Sequence, residues 1–92
     1  MVRVDLLITN KLGLHARAAG KFVEAASRFE SEIWLVKGKS RVNGKSIMGI
    51  LTLAAAKGDT VVLEIHGSDE EKAVNALKDL VLGGFGENKL EN

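Results

Sequence analysis

His15 is where chemistry converges in this chain. It stands in Lys11-Leu-Gly-Leu-His-Ala-Arg-Ala-Ala19, between a turn-forming stretch and the first residues of a predicted helix. A side chain at a helix start lies beside backbone N–H groups that have no partner inside the helix. Those groups carry the positive end of the helix dipole and can cradle phosphate oxygens. A neutral imidazole placed there is a nucleophile. The pattern therefore suits a histidine that accepts a phosphoryl group: the ring attacks, and the arriving negative charge meets waiting donors on Ala16, Arg17 and Ala18. Arg17 can bring its guanidinium to the same oxygens. Gly13 permits a close backbone approach or a positive φ just before the site. The plainer alternative is an incidental cap residue beside a solvated cation, although His is not among the favoured N-caps.

The elements that must position this histidine are legible from periodicity. Val2, Val4, Leu6 and Ile8 alternate with Arg3, Asp5, Leu7 and Thr9, the pattern of a half-buried strand. Ala19, Phe22, Val23 and Ala26 recur at helical spacing and predict an amphipathic helix from about Ala16 to Ser27. Glu32–Lys37 is rich in strand formers, and Lys37-Gly-Lys39 links it to a short strand, Ser40–Val42. Asn43-Gly44 is a turn. Ser46 opens a short helix holding Ile47, Met48, Ile50 and Leu51. Val61, Leu63 and Ile65 point one way in a fourth strand, while Thr60, Val62, Glu64 and His66 point the other. Gly67-Ser68-Asp69 is a turn and N-cap for a last helix that carries Ala73, Val74, Leu77, Leu80 and Val81 on one face. That helix stops at Gly83-Gly84, and the tail from Glu87 to Asn92 reads as frayed. Few strands, with helices able to cover one sheet face only, give an α+β class with an antiparallel sheet. Trp34 and Val36 then fall on the uncovered face, where an exposed Trp is a candidate contact surface.

Composition narrows the functions. The 92 residues correspond to one domain, 1–92. The absence of Cys excludes disulfide scaffolds, thiolate zinc sites and thiol nucleophiles, and two His cannot build a three-His metal site. No metal or organic cofactor is implied. No apolar run is long enough for membrane insertion and no signal peptide is seen, so a cytoplasmic location is the expectation. The overall charge of +1 hides a polarity: residues 1–46 sum to +5 and residues 47–92 to −4. A basic half favours an acidic partner or a phosphate. Lys37–Lys45 holds four cations, but no aromatic is interleaved there, so stacking on nucleic acid is unavailable.

Gly13-Leu-His15-Ala-Arg17, followed by Asn43-Gly-Lys-Ser46-Ile-Met, resembles the HPr family of phosphocarriers of the bacterial phosphotransferase system, including the nitrogen-branch relatives called NPr. The resemblance runs over essentially the whole chain. It implies an open-faced β-sandwich, a four-stranded antiparallel sheet with three helices on one face. It implies phosphorylation of His15 on Nδ1 by enzyme I, with phosphoenolpyruvate as the source, and transfer to a IIA domain for sugar uptake. The alternative it carries is a nitrogen-branch regulator acting through phosphorylation-dependent protein binding. Nδ1 is also the ring nitrogen nearer the backbone of a cap residue. Arg17 would stabilise the phosphate. The protein would be a carried reagent between two enzymes, without a small-molecule pocket, and a monomer. The family pattern has Pro where this chain has Ala18. Pro is harmless in a first helical turn, and Ala keeps the helix too.

The resemblance also implies a docking face. The short helix would lie beside His15, with Ile47, Met48 and Leu51 in an apolar ring; Met is adaptable on surfaces that meet several partners. Leu14, Gly20, Lys21 and Lys45 would complete the rim, and basic residues there would steer an acidic enzyme surface. Ser46 is a favoured N-cap without a capping box, because Gly49 and not Glu follows three residues on. In many relatives the matching Ser is phosphorylated by an HPr kinase/phosphorylase. That would add about −2 charge beside Ile47 and Met48.

Overall fold

A computed structural model describes residues 1–91. The chain runs β1 (Val2–Leu7), α1 (Ala16–Ala26), β2 (Glu32–Lys37), β3 (Ser40–Asn43), α2 (Ile47–Thr52), β4 (Thr60–His66) and α3 (Glu70–Leu82), and closes with a 3₁₀ segment, Gly84–Glu91. The four strands form one sheet in the order β1-β4-β2-β3, with every pairing antiparallel. Strand alternation fixes the register. Leu6 faces Val61 across β1–β4, and Ile33 and Leu35 face Ile65 and Leu63 across β2–β4. A slip of one residue would turn all of these to the solvent.

The helices lie on that apolar face. Phe22 of α1, Ile50 of α2 and Leu77 of α3 are fully buried among the inward strand residues. A buried Phe such as Phe22 contributes roughly 2–3 kcal/mol through the area it removes from water. The open face mixes Leu7, Trp34, Val36 and Val62 with charged residues that tie it together. Arg41 stacks over Trp34 at 4.0 Å from the ring centre. Both Arg41 and Arg3 reach the carboxylate of Glu64, at 3.0 and 3.4 Å. Trp34 is thus half-buried under a guanidinium and is not an open contact surface, because a cation held over its ring covers the apolar area.

The end of the sheet away from His15 is stapled by Asp69. Its carboxylate accepts from the Glu30 N–H, the Ser31 N–H and the Ser31 hydroxyl, which joins the α1–β2 turn to the start of α3. Asp69 occupies the predicted N-cap of α3, but its side chain makes no cap bond. The hydroxyl and amides of the neighbouring turn take its acceptors instead.

Candidate functional site

His15 is the N-cap of α1, in extended backbone at φ −77° and ψ 179°. Its carbonyl accepts from the Ala19 N–H at 2.8 Å, the first helical bond. The N–H groups of Ala16, Arg17 and Ala18 precede that bond and have no acceptor within the helix. The His15 side chain makes no cap bond, and no acidic residue stands in the first turn. The amides of the exposed Ala16 and Arg17 and the positive end of the dipole therefore remain for an outside anion, while Ala18 is fully buried.

The loop before α1 is held by close backbone contact. Gly13 has φ +65°; a Cβ there would collide with the Ala55 carbonyl oxygen and lie 2.8 Å from Ala56 Cα. Glycine lets the loop rest on the chain that leaves α2, where the Leu14 N–H bonds the Ala55 carbonyl at 2.9 Å. This anchors the backbone one residue before His15.

The His15 ring is partly open, with 27% of its side chain exposed, and its Nε2 lies 2.6 Å from Oε2 of Glu87. Glu87 is only 10% exposed. Its other oxygen accepts from Asn10 Nδ2 at 2.8 Å, and Asn10 Nδ2 also donates to the Gly13 carbonyl at 2.7 Å. Asn10 is fully buried, and its Oδ1 has no partner among the described residues. Burial alone would push the Glu87 carboxyl up. The Asn10 and His15 hydrogen bonds, with the His15 and Lys21 charges, outweigh it and hold Glu87 below the ordinary carboxylate range.

Glu87 is the functional residue that the sequence reading missed. The frayed tail expected from Glu87 onward is corrected at this residue. Gly84 and Gly86 at positive φ fold the chain back, Phe85 is buried, and Lys21 Nζ donates to the Phe85 carbonyl at 2.8 Å. The available signal was Phe85 itself: an aromatic between two glycines just past a helix end has a reason to be buried. Among the expected residues beyond it, Asn92 lies outside the described ones.

The remaining expected residues divide. Arg17 is exposed two residues after His15, and Gly20 is open, with no atom within 4 Å of where a Cβ would stand. Ile47 and Met48 are exposed, Met48 at 72%, while Leu51 packs partly against the core. α2 lies against α1. Leu14 is buried and belongs to the core, not to a docking rim, because its N–H is bonded to the Ala55 carbonyl and holds the loop against the chain that leaves α2. Lys45 is placed past the other end of α1, where its Nζ donates to the Phe29 carbonyl at 2.6 Å; it is not a neighbour of His15. Lys21 is near the site, but its ammonium is engaged with Phe85. Ser46 caps α2, accepting from the Gly49 N–H at 3.0 Å. Among the described residues no three His, Asp or Glu cluster as metal ligands, and no helix is long and apolar enough to cross a membrane.

An open-faced sandwich with a histidine at the head of its first helix is the arrangement of the small phosphocarriers. Residues 2–82 match the family model described as PTS HPr component phosphorylation site. Phosphocarrier protein HPr of Neisseria meningitidis is 58% identical over 87 residues, 95% of this chain and 98% of that one. The crystal structure of HPr from Thermoanaerobacter tengcongensis is 50% identical, covers 95% of this chain and 98% of its own, and superposes with a TM-score of 0.91. A structure titled HPr dimer from the same organism is also 50% identical, covers 95% of this chain and 100% of its own, and gives a TM-score of 0.76. The chain belongs to the HPr family and is a phosphocarrier of the phosphotransferase system.

Proposed function

We propose that His15 is the phosphoryl acceptor, through Nδ1, and that the donor is enzyme I charged from phosphoenolpyruvate and the recipient a IIA domain of the sugar branch. The observation that carries this reading is the uncapped start of α1: no side chain caps it, and the exposed Ala16 and Arg17 stand at its head beside a partly open imidazole. Transfer to the ring brings negative oxygens to their amides, where preorganised N–H groups stabilise developing charge. Arg17 is exposed at the second helical position and supplies a guanidinium to the same oxygens. Ala18 retains an N–H where the family's Pro has none, but Ala18 is fully buried.

The docking face is read as Gly20, Ile47 and Met48, with Lys21 and the partly buried Leu51 at its margin. Their exposure beside α1 supports it. Phosphorylation of Ser46 by an HPr kinase/phosphorylase would place a dianion between Lys45 and Ile47 and weaken docking there. The chain, 1–92, is read as a single-domain monomer in the cytoplasm; sedimentation checks the monomer. The acceptor reading is tested by incubation with phosphoenolpyruvate and a cognate enzyme I. Acid-labile phosphate is expected on the wild type and none on His15→Ala. No label on the wild type, or equal label on both, overturns it. Onward transfer to sugar-type and nitrogen-type IIA domains, compared side by side, decides the branch.

A further inference from the structure

We propose that Glu87, aimed by Asn10, is a positioning residue that holds His15 as its Nε2–H tautomer and thereby directs the phosphoryl group to Nδ1. The inference rests on the proposed role of His15. An ionised carboxylate only accepts hydrogen bonds, so in a 2.6 Å contact between Nε2 and Oε2 the ring nitrogen must bring the proton. A neutral imidazole has a single ring proton. With that proton on Nε2, Nδ1 carries the free lone pair, and among the described residues Nδ1 makes no hydrogen bond.

The carboxylate is itself aimed. Its second oxygen is taken by Asn10 Nδ2, which is fixed in turn by the Gly13 carbonyl. Lys21 holds the backbone at Phe85, two residues before Glu87. Folding alone does not call for this arrangement: a buried carboxylate and a buried Asn10 oxygen without a partner both cost stability.

The transfer then needs no proton movement. The Nδ1 lone pair forms a bond to phosphorus as the bond from phosphorus to the donor's histidine nitrogen breaks, and the bonding pair returns to the donor ring. His15 becomes a phosphorylated imidazolium that keeps its Nε2–H on Glu87. In the onward step a lone pair of the recipient bonds to phosphorus as the N–P pair returns to Nδ1, and His15 leaves as the same neutral tautomer. The carboxylate favours the charged ring between the two steps, as carboxylate partners orient and tune ligating histidines elsewhere.

Ring ¹⁵N spectra of the unphosphorylated protein in mildly alkaline buffer test this. The wild type is expected to show Nε2 protonated and Nδ1 unprotonated. In Glu87→Ala both signals move toward the average of exchanging tautomers, and phosphoryl uptake slows about tenfold with the label still on His15. Asn10→Ala shifts the signals in the same direction by less. A wild-type ring protonated on Nδ1, or identical ring signals in wild type and Glu87→Ala, overturns the proposal. Should Glu87→Ala not fold, the wild-type ring spectrum alone decides between these outcomes. Label on His15 with coincident ring spectra removes only the positioning role; label on another side chain removes the reading of His15 as acceptor, whatever the ring spectra show.

Discussion

The starts of α1 and α2 solve the same problem in opposite ways. Both begin after an N-cap in extended backbone. At α2 the Ser46 hydroxyl accepts from the Gly49 N–H, and a free donor is satisfied. At α1 the His15 ring makes no cap bond and reaches Glu87 instead, and the amides of the exposed Ala16 and Arg17 have no acceptor in the helix. A favoured cap residue stabilises a helix by about 1 kcal/mol over an uncapped start. α1 forgoes that amount and leaves a place for charge. The start of α3 is a third solution: Asp69 spends its carboxylate on Ser31 and Glu30, and so closes the far end of the molecule. One end of the sandwich is satisfied internally, and the other is kept ready for an anion.

The largest expected effect breaks the loop that holds α1's start. Gly13→Ala must place a Cβ against the Ala55 carbonyl at positive φ, a combination of backbone strain and overpacking that costs about 3 kcal/mol. Urea unfolding is expected to show a lower midpoint with an unchanged slope. A midpoint equal to the wild type's would mean that the loop does not rest on Ala55.

The contrast between the two caps is sharpened by exchanging their roles. Ser46→Ala should lower stability by about 1 kcal/mol, and His15→Ser should raise it by a similar amount while phosphoryl acceptance is lost. Thermal or urea unfolding of both variants checks the pair. A destabilised His15→Ser would mean that the Glu87 contact outweighs the missing cap.

The staple at α3 responds to acid. Hydrogen bonds from Ser31 and the Glu30 backbone hold the Asp69 carboxyl below the usual carboxylate range. A carboxyl depressed on folding stabilises above its unfolded range, and the contribution fades as pH falls through its folded value. Unfolding of wild type and Asp69→Asn is therefore expected to differ near neutral pH and to converge in strong acid. A gap that widens in acid would contradict this. Ala18→Pro should have the smallest effect, less than about threefold on the lifetime of the phosphorylated form, because the N–H it removes is buried in a turn that tolerates Pro. A phosphorylated form too short-lived to isolate would mean that the Ala18 N–H carries the charge alone.

The parts of this arrangement that follow local rules are readable in the sequence. Alternation in Val2–Leu6 and Val61–Ile65 reports the sheet because the strand period is two, and spacing in Ala19–Ala26 reports α1 because its period is near 3.6. His15, Arg17 and Ser46 are legible because caps and first turns have chemistry of their own. Glu87 is not legible in this way. It meets His15 from 72 residues away, and no periodicity encodes a turn made by two glycines at positive φ. The resemblance implies Leu14 and Lys45 as rim residues. The first is turned inward by the loop, and the second is carried to the far end of α1 by the β3–α2 turn. Arg41 covers Trp34 because β3 pairs with β2, a partnership that lies outside either strand's own pattern.

The most direct measurement is ³¹P and ring ¹⁵N spectroscopy of the phosphorylated protein. A single phosphorus coupled to Nδ1 of His15, with Nε2 still protonated, is the predicted result. Phosphorus on Nε2, or on any side chain other than His15, would contradict it.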